Sequence, residues 1–539
     1  MTSFSAVVAE ALETVPSTYR GPGGSVAVLK EGELVGQQIW GYSNLDTRTL
    51  LRSDTLLPIC SITKQMLCAL LPSLERNPTP SMKARGTDAK TQYQDALSDI
   101  LGADFVKRTG LKVHHLANNA SGIRDYWALT VLWGAKLDQK FSMEEHIPKV
   151  IERTKSLHFT PGTEYSYCNV NFVIVARVIE VVSGGKLDDL LSKCVFEPSS
   201  MKSAFVGADT SLHPTRCEGY EGNASVGYFP AVNRIEWAGD AGIVASLNDM
   251  IAYEKSLDRQ WTAKQGWFWD NAQPPHYDDG TLARYAHGLA SADVLGVRTV
   301  RHGGALRGYR LHRLYAPEER ISVVVMFNHE GDAGGAATSV LQKTLGLKEP
   351  ETPVVQPGKE WFGSYFDEVA QMVLTVEESK KPGQIMICYV RGPETVKLTD
   401  ATHAKSPSLN VSLEGNIIVV ERIEDNRTVR ATKLSPSKDV TKFYKPFLGS
   451  FSCDEIESKL KIEGHSGMLY GSFEGFLGTG AIHFIKHTGE DIWALECARS
   501  MDAQPPGDWT LAFKKDEAGN VTGVTVGCWL ARKLEYKKI

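Results

Sequence analysis

Pro58-Ile59-Cys60-Ser61-Ile62-Thr63-Lys64 decides how this chain is read. Its first three residues form an apolar extended run, and a helix begins at Ser61 and continues through Met66 to Leu74. Ser61 is then expected at a helix N-terminus, where free N–H groups and the helix dipole favour developing negative charge. Lys64, three residues on, shares its face, so hydroxyl and ammonium come within reach. The Ser-x-x-Lys spacing alone is weak evidence. It recurs at Ser183/Lys186, Ser199/Lys202, Ser435/Lys438 and Ser458/Lys461, where a solvated polar pair is the ordinary reading.

Two further motifs follow in order, Tyr167-Cys168-Asn169 and His302-Gly303-Gly304. A lysine at its usual pKa of ~10.4 is a poor base, but burial and a neighbouring positive charge lower it by several units. Tyr167 precedes a helix starting near Phe172, and as phenol or phenolate it would share proton transfer with Lys64. Asn169 would orient a substrate amide; the plainer alternative is a core tyrosine and a helix-capping asparagine. The glycines after His302 let a substrate backbone approach an edge strand, and the N–H of Ala305 pairs with that of Ser61 as an oxyanion hole. The alternative there is a glycine-rich hairpin with a surface histidine. Together the three motifs supply the parts for serine acyl transfer without a Ser-His-Asp triad, provided they converge in space. No Gly-x-Ser-x-Gly elbow, His-Glu-x-x-His helix or Cys/His cluster is present, which disfavours an α/β-hydrolase or a metallohydrolase. No metal or organic cofactor is expected.

At 539 residues the chain exceeds one core and suggests ~3 domains. A net charge of −5 without a basic stripe gives no reason to expect nucleic acid or an anionic membrane as partner. No apolar run approaches the ~18 residues that span a bilayer, and the first residues show no secretory pattern. Nine scattered cysteines without a CxxC pair read as reduced thiols of a cytoplasmic protein.

Ser25 to Val35 reads as a hairpin turning at Glu31-Gly32, Phe172 to Val182 as a buried helix, and Ile321 to Phe327 as a central strand. Residues 75–95 read as an exposed polar loop. Pro and Glu cluster at Lys348-Glu349-Pro350-Glu351-Thr352-Pro353, and beyond them only short strand patterns and turns remain, as in all-β domains. Trp361-Phe362-Gly363-Ser364-Tyr365 is echoed by Phe447-Leu448-Gly449-Ser450-Phe451, which points to two related β units. The expected organisation is an α/β domain at 1–346, a linker at 347–357, and antiparallel barrels at 358–440 and 441–539.

The motif trio resembles the penicillin-recognising serine hydrolases: class C β-lactamases, D,D-carboxypeptidases and related esterases. The resemblance implies a five-stranded antiparallel sheet flanked by helices. The third motif departs from the usual Lys-Thr-Gly, and this departure, with the β units behind it, is similar to one branch, the bacterial D-aminopeptidases with two eight-stranded antiparallel β-barrels. The likeness runs through Tyr19–Gly24, Arg124–Leu129, Tyr165–Asn169, Gly239–Ile243, His302–Gly308, Arg499–Ala503 and Gly527–Arg532. It implies Ser61 as nucleophile, Lys64 and Tyr167 as the proton-transfer pair, and His302 as a substrate-side group. Asn169, Gly304 and Ala305 would bind substrate. It also implies a loop from the last barrel that enters the site and carries Asp502. There a carboxylate would attract a substrate ammonium and disfavour anionic substrates. The expected substrate is a small peptide or amide with a free N-terminal D-residue, and the protein would be a homodimer. A sister hydrolase acting on substrates without a free amine, and a catalytically silent binding protein, are the competing readings.

Overall fold

A computed structural model of the chain describes residues 3–212, 217–350, 353–389, 392–436, 443–497, 499–501 and 508–539. Two compact units result. One comprises Met1–Asn119, Lys140–Ile147 and Val170–Pro350, the other Ala120–Gln139, Pro148–Asn169 and Glu351–Ile539. Among the described residues no helix is long and apolar enough to cross a membrane.

The first unit contains α1 (Phe4–Glu13), β1 (Gly23–Lys30), β2 (Glu33–Asn44), β3 (Leu57–Pro58) and α2 (Thr63–Arg76). After these come α3 (Asn169–Ser183, whose first residue belongs to the second unit), β4 (Ile243–Ala245) and α4 (Leu247–Ala263). It ends with β5 (Tyr285–Ala286), β6 (Leu289–Val294), β7 (Val297–Leu306), β8 (Tyr309–Ala316), β9 (Ile321–Phe327) and α5 (Ala333–Leu345). The main sheet is antiparallel, in the order β2-β1-β9-β8-β7-β6-β5, with the short strand Thr49–Leu50 beside β2. Its five long strands, β2 to β7 in that order, are the expected sheet; β6, β5 and Thr49–Leu50 widen it. The β1–β2 turn falls at Glu31 and Gly32, both at positive φ, as a tight hairpin requires. All seven residues of β9 are buried, as a β-branched run between two neighbours should be.

One face of this sheet packs on α1 and α5 through Val8, Leu12, Val26, Val28, Val325 and Val340. On β8, Arg313 meets Glu254 of α4 in a two-pronged pair at 2.7 Å, with both side chains fully buried. Residues 75–95 are not a loop. Helices Pro80–Arg85 and Ala89–Leu101 occupy most of that stretch, started by Thr79 and Asp88, whose side chains accept N–H groups of the first turn. The prolines and polar residues there are helix-start signals rather than loop signals.

The second unit carries two barrels. The first comprises β10 (Gly363–Asp367), β11 (Met372–Glu378), β12 (Gln384–Cys388), β13 (Glu394–Leu398), β14 (His403–Lys405), β15 (Leu409–Glu414), β16 (Ile417–Arg422) and β17 (Arg427–Lys433), closed by pairing of β10 with β17. The second comprises β18 (Gly449–Cys453), β19 (Ser458–His465), β20 (Met468–Gly475), β21 (His483–Gly489), β22 (Ile492–Leu495), β23 (Trp509–Lys515), β24 (Val521–Cys528) and β25 (Ala531–Lys538). Pairing of β19 with β20 closes it, and Gly478–Thr479 adds a short ninth strand beside β20. Inward and outward residues alternate, as Leu409, Val411 and Leu413 do on β15. The echo in sequence is an echo in structure. Gly363 and Gly449 open equivalent strands at φ +134° and +136°, and Tyr365 and Phe451 are both fully buried. A glycine is needed there because that φ is closed to other residues.

Candidate active site

Ser61 lies in the single turn Cys60–Ile62 that runs into α2. The turn is fixed from below by the β3–β4 pair: Ile59 donates its N–H to Ile243 O at 2.9 Å, and Ile62 donates to Ile59 O at 3.2 Å. Ile243 donates in turn to Thr63 Oγ1 at 3.2 Å. Cys60 takes the left-handed conformation at φ +53°, a costly choice for a non-glycine residue that a rigid surround must impose. It sharpens the turn that leaves Ser61 half-buried at the start of the helix.

Lys64 is fully buried. Its Nζ lies 2.9 Å from Ser61 Oγ, donates to Asp240 O at 2.6 Å, and sits 5.3 Å from the centre of the Phe172 ring on α3. The main chain crosses closely here. Gly288, at φ +72°, abuts the backbone of Lys64 and Gln65, and a Cβ there would lie 2.4 Å from Gln65 N.

The strand β7 passes the same turn. A Cβ on Gly304 would fall 2.5 Å from Ile59 O and 3.2 Å from the Cβ of Cys60, so glycine is what allows the strand to lie against the serine turn. β6 pairs with β7 only as far as Arg301, so among the described strands Gly303 to Leu306 are paired on one side only, by β8. An extended backbone laid along that edge would find an open strand. Ala305 is part of this edge, opposite Arg310.

His302 is buried, with Nδ1 2.5 Å from Gly303 O and Nε2 2.9 Å from Tyr285 Oη. A carbonyl only accepts, so Nδ1 carries the proton, and the phenol donates to Nε2. Burial, with the nearby Lys64 charge, holds the imidazole down to about 3. His302 is therefore a neutral group of fixed tautomer, not a replacement positive charge.

Tyr167 and Asn169 belong to the second unit, on the stretch leading into α3. Tyr167 is half-buried and Cys168 buried, the alternation expected of that motif. Asp125 Oδ1 accepts both the N–H of Asn169 (2.6 Å) and its Nδ2 (3.1 Å), which orients the side-chain amide. Asp502 lies outside the described residues, as does Ala503; Arg499, Ser500 and Met501 precede them.

Of the residues singled out in the sequence, Ser61, Lys64, His302, Gly304 and Ala305 thus share one unit, and Ser61, Lys64 and Gly304 gather at one turn. Asp240, Tyr285 and Phe172 had no assigned role. Asp240 stands in the dense Gly239-Asp240-Ala241-Gly242 stretch, where small residues announce a close approach: a Cβ on Gly239 would lie 2.4 Å from Leu67 and 2.8 Å from Phe172 O. Tyr285 has no comparable signal. Among the described residues no three His, Cys, Asp or Glu side chains gather as a metal site.

Residues 4–345 match the β-lactamase family model, and residues 354–537 match that of D-aminopeptidase, domain B. The chain is 40% identical over 528 residues to a D-aminopeptidase of Brucella melitensis, covering 98% of each chain. It is 39% identical over 540 residues to a D-aminopeptidase of Brucella anthropi, covering 100% of each. Among solved structures it is similar in fold to an octameric penicillin-binding protein homologue from Pyrococcus abyssi (TM-score 0.52, 19% identity, 79% of this chain and 99% of that one). It also resembles a D-amino acid amidase from Ochrobactrum anthropi SV3 (TM-score 0.51, 19% identity, 64% of this chain and 100% of that one).

Proposed function

This chain belongs to the D-aminopeptidase family and is a D-stereospecific serine aminopeptidase, and we propose that it works through an acyl-enzyme on Ser61. The observation that carries this reading is the wholly buried Lys64 with its Nζ 2.9 Å from Ser61 Oγ. Lys64 and Tyr167 form the proton-transfer pair. They take the hydroxyl proton as Oγ attacks the carbonyl of the N-terminal residue, and return it to the departing amine. The N–H groups of Ser61 and Ala305 hold the oxyanion. The β7 edge beyond His302 receives the substrate backbone, Asn169 its amide, and the neutral His302 shapes the substrate side without adding charge. Water then deacylates Ser61.

The preferred substrates are peptides, amides and esters that begin with a small D-residue such as D-alanine. Asp502 pairs with the substrate's free ammonium, a charge-assisted contact worth ~1.5–3 kcal/mol, or roughly ten- to a hundredfold in kcat/KM. A cytoplasmic setting is supported by nine free thiols; a homodimer completes the reading, with domain limits as read from the sequence.

Paired D- and L-alanyl p-nitroanilides test it. Turnover should be confined to the D-substrate and be lost in Ser61→Ala with the fold intact. Equal rates on both, or on analogues lacking the α-amine, would favour the sister hydrolases; an active Ser61→Ala would end the covalent reading.

A further inference from the structure

We propose that the tips of two barrel hairpins position Tyr167, so that the barrels act on proton transfer as well as on substrate choice; this rests on the role given to Tyr167 above. Residues 164–168 lie in no helix or strand, so no ladder of their own holds them. Among the contacts that hold them are two sets from the barrels.

Two residues before Tyr167, the N–H of Tyr165 donates to Asp425 O at 3.0 Å, at the tip of the β16–β17 hairpin. Next to it, Asn426 donates its Nδ2 to Thr163 O at 3.0 Å. That tip is itself braced. The buried Asp425 carboxylate accepts Arg422 Nε at 2.5 Å and Trp529 Nε1 at 3.1 Å, and Arg422 also reaches Glu394 at 2.6 Å. Trp529 belongs to the tip of the β24–β25 hairpin in the other barrel, and its ring centre lies 6.2 Å from that of Tyr165.

Two residues after Tyr167, Asn169 is held by Asp125. Asp125 in turn donates its N–H to Leu530 O at 3.0 Å, on that same β24–β25 tip, while Arg124 Nε donates to Arg532 O at 2.9 Å. The residues two before and two after Tyr167 are thus both tied to the barrels, the second of them also by its place at the start of α3. The sequence stretches Arg124–Leu129 and Gly527–Arg532, which the chemistry alone leaves without a task, meet here.

A misplacement of about 1 Å at a reacting group costs about a hundredfold in rate, so losing one of several anchors should cost about tenfold. The full-length enzyme is tested as Asn426→Gly, which keeps the left-handed backbone at φ +50° but deletes the amide contact. The second variant is Trp529→Phe, which keeps a ring but deletes the donor to Asp425. Each should lower kcat about tenfold and change KM less than about twofold, with melting temperature close to wild type. The loss from Asn426→Gly should vanish when Tyr167 is already phenylalanine, because the group being positioned is gone. Wild-type kcat in both variants, or an equal loss with and without the Tyr167 hydroxyl, overturns the positioning while leaving the role of Tyr167 standing. Full activity in Tyr167→Phe alone overturns that role and the positioning with it.

Discussion

Replacing Gly304 by alanine isolates the approach of β7 to the serine turn. The added Cβ would lie 2.5 Å from Ile59 O, where ordinary contact begins at 3.4 Å, so strand or turn must yield by roughly 0.9 Å. Ile59 O cannot recede freely, because it accepts the N–H of Ile62 and so closes the turn holding Ser61. The φ of Gly304 is not positive, so alanine brings no backbone strain and the effect is one of crowding alone. A shift near 1 Å between nucleophile and oxyanion donor should lower kcat/KM about a hundredfold, or about 2.7 kcal/mol at the transition state. Overpacking should also cost about 1–3 kcal/mol of stability, leaving a folded protein. Gly303→Ala is the comparison: its Cβ would meet His312 Nδ1 at 3.3 Å, where a side chain can give by tenths of an ångström, and Leu311 O at an ordinary contact distance of 3.7 Å. Steady-state kinetics on a D-alanyl p-nitroanilide, with thermal melts of both variants, measure this. A Gly304→Ala enzyme within about threefold of wild type would refute the claim that this glycine exists for the strand's approach to Ser61.

Glu254→Gln should destabilise the first unit by about 3–5 kcal/mol, since it leaves the fully buried Arg313 without its counter-charge; a denaturant melt showing under about 1 kcal/mol would contradict it. Acid should weaken the fold before it protonates the site. The imidazoles of His302 and His312 are pushed down to about 3, and those of His115, His287 and His329 to about 4, chiefly by burial. Each has a folded value below its unfolded one of about 6.5, so the unfolded chain takes up the proton first as pH falls. Stability should then drop by up to about 1.4 kcal/mol per pH unit for each histidine between about 6.5 and its folded value, and level off below. Denaturant melts at pH 7, 6 and 5 check this, and a flat profile would mean these histidines are solvated.

By itself the sequence determined whatever is local in the chain or periodic along it. Ser61 and Lys64 fall on one face because their i, i+3 spacing at a helix start brings them there, and the turn held by β3 and β4 sets the contact at 2.9 Å. The buried run of β9, the Glu31-Gly32 turn and the paired glycines at 363 and 449 are likewise written in side-chain volume and permitted φ. Helices at 80–85 and 89–101 were written there too, in the caps Thr79 and Asp88, though their polar composition reads as loop. Tertiary structure alone decided which distant groups complete these local pieces. Asp240, 176 residues from Lys64, becomes its acceptor; Tyr285 fixes the tautomer of His302; and hairpin tips near residues 425 and 530 take hold of the stretch around Tyr167. A carbonyl oxygen or a phenol has no distinctive spacing to advertise such a role. Its partner is chosen only when sheets and barrels close and every buried donor must find an acceptor.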